Sequence, residues 1–435
     1  MCRTPLRVVF CRPKTYPCPS CGTRGRRKRL LVRVIRSLAY RQEAFTEVRY
    51  AEYRSRCDPA TKCPKTFRSW PEGCPQKAGY DDRVRRAVLD RMLDDGLNAQ
   101  RTLEAMRRDF LLDLSYGFID DCLDGELRRI DLPAHRRRVL ERFSGTLCID
   151  ELHLGHRVLL LATDPLSDEI VGFALVSAND QDHMRRFLLG LRSHGLLPRT
   201  VITDGSKLYP AVLAEVWRHA KHQLCVFHAL QDVTAKVLDA VRRLRKRQQR
   251  KGKAGRKRKG GRPRKGARRR PACKGPTCKE KAAFVFKRRH LVVKRTENLD
   301  EREKADLETM FGYEPGLRVL RDFCQEAYRA WGSGQSLKVA RWRWTMLLRK
   351  AAYQGVPELA QVLESLDKGE LEKTLSFLGQ PEGEREKTNN HVERMNRKLR
   401  FDEKTRYKWR RRKSIVRWVL LRISRHIPKT LGQEG

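Results

Sequence analysis

Two aspartates of this chain lie where a buried carboxylate has to meet a cation. Asp150 follows the apolar run TLCI, and Asp204 follows VIT. A carboxylate in a buried strand is costly unless a cation meets it. On neighbouring strands, the pair would hold two Mg²⁺ or Mn²⁺ ions, the usual arrangement for in-line attack on a phosphodiester. Alternatively, Asp204 belongs to a turn with Gly205 and Asp150 caps a strand end.

A third carboxylate is expected from a helix that packs on the same sheet. The segment TNNHVERMNRK carries a polar stripe on one helical side: Asn389, Asn390, Glu393, Asn396 and Arg397. Residues one turn apart on a helix lie side by side, so this stripe suits metal and phosphate contact around Glu393. The alternative is a solvated helix face, which is the more frequent explanation of a charged helix.

Other acidic residues compete for these roles. Glu151 directly follows Asp150, and alternation along a strand predicts that it points to the opposite face. We therefore expect Asp150 to be the ligand. Glu384 and Glu386 are rivals to Glu393, but both precede the helix signal.

Four cysteines near the start of the chain are spaced like ligands of Zn²⁺. They are Cys18, Cys21, Cys57 and Cys63. Two pairs of thiolates presented by two β-type turns are typical of a zinc ribbon, and a small module with little core needs such a metal. The second pair has a looser spacing than usual, so Cys11 or Cys74 could replace one member. The alternative is a set of reduced thiols without metal, since 13 cysteines in a long chain do not suggest a disulfide framework.

The net charge of this 435-residue chain is +44, which makes nucleic acid the leading partner and a membrane surface the weaker one. The charge is uneven: residues 241–270 hold 18 basic residues and no acid, whereas residues 146–235 have a net charge of −2. This division separates a centre that holds cations from flanks that hold phosphates. No apolar run reaches spanning length, and the N-terminal residues lack a signal-peptide core, so we expect no membrane insertion and no export.

The pattern of apolar residues predicts the elements that position these groups. Three apolar runs (TLCIDELHL, RVLLLATD and EIVGFALVSA) are followed by a helix, a strand at RTVITDG, a helix and a strand at HQLCVFHAL. This order is that of an RNase H-like α/β fold. Cys225 and His228 fall on the last strand and its exit. We expect Cys225 in the core and His228 near the active site, where its imidazole contacts the scissile phosphate or orients an acid.

Two further regions predict contacts with DNA phosphates. Residues 81–130 contain two amphipathic helices, with Asn98 as an N-cap, and a third helix at 115–127; together they resemble a helix-turn-helix. The third helix is acidic, so a helical linker or dimer contact is the alternative. The segment KTRYKWRRRKSIVRW interleaves arginines with aromatic residues. The expected phosphate contacts are Arg107, Arg108, Arg397, Arg400, Lys408, Arg410, Arg411 and Arg412.

The ordered set CIDE, ITDGS, CVFH and TNNHVER resembles the DDE transposases of bacterial insertion sequences, in the C-x-x-H branch related to Mutator-like elements. The resemblance implies that Asp150, Asp204 and Glu393 are the metal-binding triad and that the long interval before Glu393 is a mainly helical insertion. It also implies this organisation: a zinc-ribbon-like module at 1–75, a helical DNA-binding domain at 81–130, an RNase H-like core at 146–240 and 386–425, and an insertion at 251–385.

The implied function is cleavage of the element's ends and transfer of the 3′-OH strand to target DNA. Mg²⁺ or Mn²⁺ and Zn²⁺ are the implied metals, double-stranded DNA is the partner, and a homodimer or higher oligomer on DNA in the bacterial cytoplasm is expected. The alternatives are a transposase-derived DNA-binding protein without catalysis and an RNase H-like nuclease without strand transfer. The polybasic run at 251–270 does not resemble any family element.

Overall fold

The computed structural model describes residues 7–58, 62–74, 79–254, 275–366, 370–406 and 411–424. The chain divides into two compact units. The first contains Met1–Arg138, Leu152–Val158 and Met395–Gly435, and the second contains Val139–Glu151 and Leu159–Arg394. Within the described residues, no helix combines the length and the apolar character needed to cross a membrane.

The first unit begins with a five-stranded sheet. Its strands are β1 (Arg7–Cys11), β2 (Thr15–Pro17), β3 (Arg24–Arg36), β4 (Phe45–Arg54) and β5 (Thr66–Arg68). The order is β1-β4-β3-β2, with β5 also paired to β4. Its core is small: one cluster packs around Tyr53 and a second around Val48. A module with so little apolar burial would gain stability from a bound metal.

Four helices follow this sheet: α1 (Asp82–Leu93), α2 (Ala99–Phe110), α3 (Tyr116–Arg128) and α4 (Leu132–Arg142). The predicted cap is confirmed, because the Asn98 side chain accepts a hydrogen bond from Arg101 N at 2.9 Å. The acidic residues of α3 have a local role: Asp120 and Asp124 pair with Arg417 at 3.1 and 3.0 Å.

The second unit contains the other five-stranded sheet. Its strands are β6 (Thr146–Leu154), β7 (Arg157–Asp164), β8 (Glu169–Val176), β9 (Thr200–Thr203) and β10 (Lys221–Leu224). They lie in the order β10-β9-β6-β7-β8, and β9 is parallel to both β6 and β10. The three apolar runs and the two later strands therefore form one mixed sheet, with α5 (Gln181–Ser193) and α6 (Tyr209–Val216) in the connections.

One strand prediction was wrong at its end. The apolar segment HQLCVFHAL was expected to be a strand throughout, but β10 ends at Leu224 and the 29-residue helix α7 (Val226–Ala254) begins two residues later. Cys225 N still donates to Thr203 O of β9 (2.8 Å), whereas Val226 N donates to Lys387 O (2.9 Å), outside the sheet. His228 consequently lies in the first turn of a helix.

The insertion that follows α7 is helical, as the sequence predicts. Its helices are α8 (Cys278–Arg288), α9 (Glu301–Tyr313), α10 (Gly316–Ala330), α11 (Leu337–Arg349), α12 (Ala351–Gln354), α13 (Pro357–Ser365) and α14 (Leu371–Leu375). They share one apolar core with α7. Trp331 and Trp344 are almost fully buried in this core, and the centroids of their rings lie 4.6 Å apart. Most of the polybasic run, 255–270, lies outside the described residues.

The last two helices among the described residues are basic. They are α15 (Asn390–Thr405) and α16 (Arg412–Ser424). In the first unit, the fully buried Asp402 accepts hydrogen bonds from Arg406 and from Arg422, and the Arg406 guanidinium lies 4.0 Å from the centroid of the Trp418 ring. Trp418 itself is buried.

Candidate metal centres

Adjacent parallel strands place Asp150 beside Asp204. In the parallel β6–β9 ladder, Cys148 lies opposite Ile202. Asp150 and Asp204 each come two residues later, so the two aspartates lie side by side where the strands end. The apolar residues before them are buried. One carboxylate oxygen from each of Asp150, Glu151 and Asp204 lies within 4.8 Å of the other two. The sheet therefore brings together the two aspartates that the sequence singled out.

The expectation that Glu151 points away was wrong. The ladder with β9 ends at Cys148, so beyond that residue the long glutamate side chain reaches the same cluster as Asp150. Glu151 is fixed there, because Tyr209 Oη donates to its Oε2 at 2.6 Å. Burial raises the pKa of Glu151, and the charge of Asp204 also raises it.

Glu393 meets a different pair of residues. It lies in the first turn of α15, with its Oε1 3.8 Å from Nε2 of His228, and Cys225 joins them in a second cluster whose ligand atoms lie within 4.8 Å of one another. This oxygen of Glu393 is buried and has no hydrogen-bond partner among the described residues. The structure thus brings Glu393 to His228 but does not bring it into the carboxylate cluster.

His228 is electrostatically coupled to both clusters. Its pKa is raised to about 9, first by a hydrogen bond with Cys225 and then by the charges of Cys225, Glu393 and Asp204. The protonated imidazole is therefore favoured between neighbouring carboxylates at neutral pH. Cys225 is 1% exposed, as expected for a core residue.

Asn389 connects the segments that carry these groups. It is fully buried, its Nδ2 donates to Ile149 O at 2.9 Å, and its backbone N donates to Cys225 Sγ at 3.2 Å. The sequence placed Asn389 in a stripe for metal or phosphate contact, whereas its amide makes a structural hydrogen bond. The start of α15 is also held by His391, whose Nε2 lies 2.7 Å from Asp168 Oδ1, a contact that no sequence pattern signals.

The rival acids have other partners. Glu384 pairs with Arg199 at 2.8 Å, and Glu386 Oε1 accepts from the backbone N and the hydroxyl of Thr388, both at 2.9 Å. These contacts occupy the two carboxylates. Glu393 thus remains the acid of this region that faces His228.

The donor sets fit the metals that the sequence suggests. Carboxylate oxygens are the ligands of Mg²⁺ and Mn²⁺, and one from each of Asp150, Glu151 and Asp204 converges at this sheet edge. Glu393 Oε1 lies in the other cluster, with Cys225 and His228, and has no hydrogen-bond partner among the described residues. The residues that could hold such an ion at this edge are Asp150, Glu151 and Asp204.

The four predicted cysteines also converge. The sulfur atoms of Cys18, Cys21, Cys57 and Cys63 lie within 4.8 Å of one another, compatible with the roughly 3.8 Å between thiolates that surround one Zn²⁺ ion tetrahedrally. A tight turn presents the first pair, with Gly22 at φ +77° and its N donating to Cys18 O at 2.9 Å. Hydrogen bonds from Thr23 lower the pKa of Cys21 to about 6, which favours the thiolate. Cys74 packs in a different cluster. The cysteine cluster fits a zinc module.

The predicted phosphate contacts are exposed where the structure describes them. Arg107, Arg397, Arg400, Arg411 and Arg412 are exposed. Arg108 is also exposed, and it donates to Asp109 at 2.8 Å. Lys408 and Arg410 lie outside the described residues.

The chain is similar to known transposases. A family model for DDE transposases of the ISL3 group, described as "Transposase", matches residues 147–409. No curated protein shows detectable similarity to the chain. Among solved structures, a chain of the Drosophila P element transposase strand transfer complex is similar, with a TM-score of 0.38 and 12% identity over 81% of this chain and 94% of that chain.

Proposed function

Because this chain belongs to the ISL3 family of transposases, we propose that it cuts the ends of a DNA element and transfers the freed 3′-OH strands to target DNA. The observation that carries this proposal is the meeting of Asp150 and Asp204 at the ends of adjacent parallel strands. Two carboxylates that share one edge of a sheet are the arrangement that holds divalent cations for phosphoryl transfer.

The second sheet is assigned to an RNase H-like core. Its strand order, β10-β9-β6-β7-β8, with β9 parallel to β6 and β10, supports this assignment. The core would comprise 146–240 and 386–425, the insertion 251–385, the zinc-ribbon-like module 1–75 and the helical DNA-binding domain 81–130. An origin in a bacterial insertion sequence and a relationship to Mutator-like elements are part of this proposal and rest on the C-x-x-H spacing of Cys225 and His228.

Asp150, Asp204 and Glu393 would hold two Mg²⁺ or Mn²⁺ ions. Such ions activate water for the cut and stabilise the leaving 3′ oxygen. Glu393 would complete the site from α15, since its Oε1 lacks a hydrogen-bond partner among the described residues. His228, 3.8 Å from Glu393, would orient that carboxylate and direct its positive charge to the scissile phosphate.

The rest of the chain would hold double-stranded DNA. The net charge of +44 favours binding to phosphates, and the exposed arginines Arg107, Arg108, Arg397, Arg400, Arg411 and Arg412 are proposed contacts, as are Lys408 and Arg410. Cys18, Cys21, Cys57 and Cys63 would bind a structural Zn²⁺ ion. The proposed assembly is a homodimer or higher oligomer on DNA, acting in the bacterial cytoplasm.

The test uses labelled duplexes that carry the inverted repeats flanking the coding sequence, incubated with Mg²⁺. Wild type should cut these ends and join them to a target plasmid, and Glu393→Gln should do neither. Glu382→Gln is the matched control, because Glu382 is exposed and lies 11 residues upstream. Absence of cutting by wild type would favour a DNA-binding protein without catalysis, and cutting without joining would favour a nuclease.

A further inference from the structure

The insertion contains a cavity of about 290 Å³ that sequence patterns did not signal. It lies between α10, α11 and the 3₁₀ turn Thr296–Asn298. Its charged and polar lining includes Arg295, Glu297, Tyr328, Arg329, Gln335 and Arg343. Three guanidinium groups therefore face one space in the second unit, with a single carboxylate beside them.

Two of these arginines are held in place by neighbouring groups. Arg343 Nη1 donates to Gln335 Oε1 at 2.8 Å and to Arg329 O at 3.1 Å, which leaves its other N–H groups available. The Arg295 guanidinium lies 4.5 Å from the centroid of the Tyr328 ring, and Tyr328 Oη is tied to Val293 O. Cations fixed in this way lose little entropy when an anion binds.

The positive charge around the cavity exceeds the negative charge. Glu297 lies 3.5 Å from Arg295 and neutralises one of the three arginine charges. The lining of the cavity therefore carries a net charge of about +2. Two more cations reach the loop on its rim: Arg385 Nη1 donates to Ser333 O at 2.8 Å, and Lys387 Nζ lies 3.3 Å from Ser333 Oγ. Burial lowers the pKa of Lys387, and the charge of Arg295 adds to this effect. Like charges this close are costly unless an anion joins them.

We propose that this cavity is a phosphate-binding site. Planar guanidinium groups match the oxygens of a phosphate better than any other side chain. The phosphate comes either from the backbone of bound DNA or from a free phosphate ester. The DNA source rests on the proposed function. Lys387, on the rim of the cavity, connects it along the chain to the candidate active site. Lys387 lies six residues before Glu393, and its carbonyl accepts a hydrogen bond from Val226 N at the start of the helix that carries His228. DNA bound at that site is therefore one source of the phosphate.

The variant Arg295→Gln/Arg329→Gln removes two of the three cavity arginines. The matched control is Arg302→Gln/Arg349→Gln, which removes the same charge from exposed positions on α9 and α11 of the same unit. Melting temperatures establish that both fold. If the double variant does not fold, the single variant Arg329→Gln replaces it, since that side chain is exposed.

Two measurements distinguish the sources. The first is the affinity for a fluorescein-labelled 30-bp duplex of random sequence between 50 and 300 mM NaCl. Loss of one phosphate contact should lower the slope of log K against log [NaCl] by about 0.9 in the cavity variant and leave it unchanged in the control. The second is calorimetric titration with inorganic pyrophosphate, which should bind wild type and the control but not the cavity variant if a free phosphate ester is the ligand.

A smaller salt slope in the cavity variant alone supports the site and identifies DNA as the source of the phosphate. Loss of pyrophosphate binding in the cavity variant alone supports the site and identifies a free phosphate ester as the source. Equal slopes and equal pyrophosphate binding in wild type and the cavity variant would overturn the proposal, and so would equal losses in the control. A wild-type protein that binds no DNA would instead refute the proposed function, so the two failures are distinguishable.

Discussion

Replacing Asn389 by alanine should loosen the junction of the three segments that carry the candidate active site. The Asn389 side chain is fully buried and donates from Nδ2 to Ile149 O, the carbonyl directly before Asp150. Its backbone N donates to Cys225 Sγ, three residues before His228, and it precedes Glu393 by four residues. One side-chain hydrogen bond therefore links strand β6 to the start of α15.

The structure sets the size of the effect. Alanine keeps the backbone contact to Cys225 but removes the buried hydrogen bond from Nδ2 to Ile149 O, and a buried bond lost in this way costs about 1–3 kcal/mol when the acceptor finds no other donor. Asn389 Oδ1 has no hydrogen-bond partner within the described part of the chain, so its removal costs no further bond. For a folding unit of this size, 2 kcal/mol lowers the melting temperature by about 6 °C.

The assay is calorimetry of purified variants together with single-turnover cleavage of end DNA. Asn389→Ala should melt lower and cut more slowly. Asn389→Asp should be worse, because a carboxylate would face the Ile149 carbonyl oxygen. Asn390→Ala is the control for the melting temperature, since Asn390 is the exposed neighbour. An Asn389→Ala protein that melts like wild type, or an equal loss of melting temperature in Asn390→Ala, would refute the reasoning.

Three further outcomes follow from particular groups. Treatment with a chelator should release one Zn²⁺ ion per chain and lower the melting temperature of the first unit; purified protein without zinc in metal analysis would contradict this. Burial, helped by Lys373, lowers the pKa of His222 to about 4. Because its unfolded pKa is about 6.5, the stability it contributes is complete above pH 6.5 and is lost as pH falls towards 4, by about 2 kcal/mol at pH 5. His222→Gln should therefore flatten the pH dependence of melting in this window, and an unchanged profile would contradict the assignment. Asp402→Asn should cost about 3–5 kcal/mol in urea denaturation, because it leaves Arg406 and Arg422 without their buried carboxylate; a cost below about 1 kcal/mol would count against it.

The strands of the second sheet could be predicted closely because their apolar runs are continuous and bounded by turns. The runs TLCIDELHL and RVLLLATD coincide with β6 and β7. The segment CVFHAL was misleading because Val226 and Phe227 favour strands. In the structure, Cys225 N makes the last bond to β9, at Thr203 O, and Val226 N donates instead to Lys387 O, where helix α7 begins. Those bonds join residues far apart in sequence, so no local pattern contains them.

The candidate site could be predicted in its residue types but not in its grouping. The apolar residues around Asp150 and Asp204 identified them, because a buried carboxylate is costly unless a cation or hydrogen bonds compensate its charge. The alternation rule failed at Glu151 because the ladder with β9 ends at Cys148, and a long side chain is then free to reach back. The neighbours of Glu393 depend on where α15 packs, which the sequence does not specify.

Long-range ion pairs explain residues that looked unfavourable in sequence. The acids of α3 argued against a DNA-reading helix, since they would face phosphates badly. The structure pairs Asp120 and Asp124 with Arg417, 297 residues after Asp120. Whether this helix reads DNA stays a prediction, but the acids have partners within the first unit.

Binding of Mn²⁺, followed by electron paramagnetic resonance, tests the central claim most directly. Wild type should bind the ion in the absence of DNA, and Asp204→Asn should lose that binding because it removes a carboxylate from the cluster with Asp150 and Glu151. Asp232→Asn, an exposed acid on α7, should bind like wild type. Equal Mn²⁺ binding by wild type and Asp204→Asn would contradict the assignment of this sheet edge as the metal site.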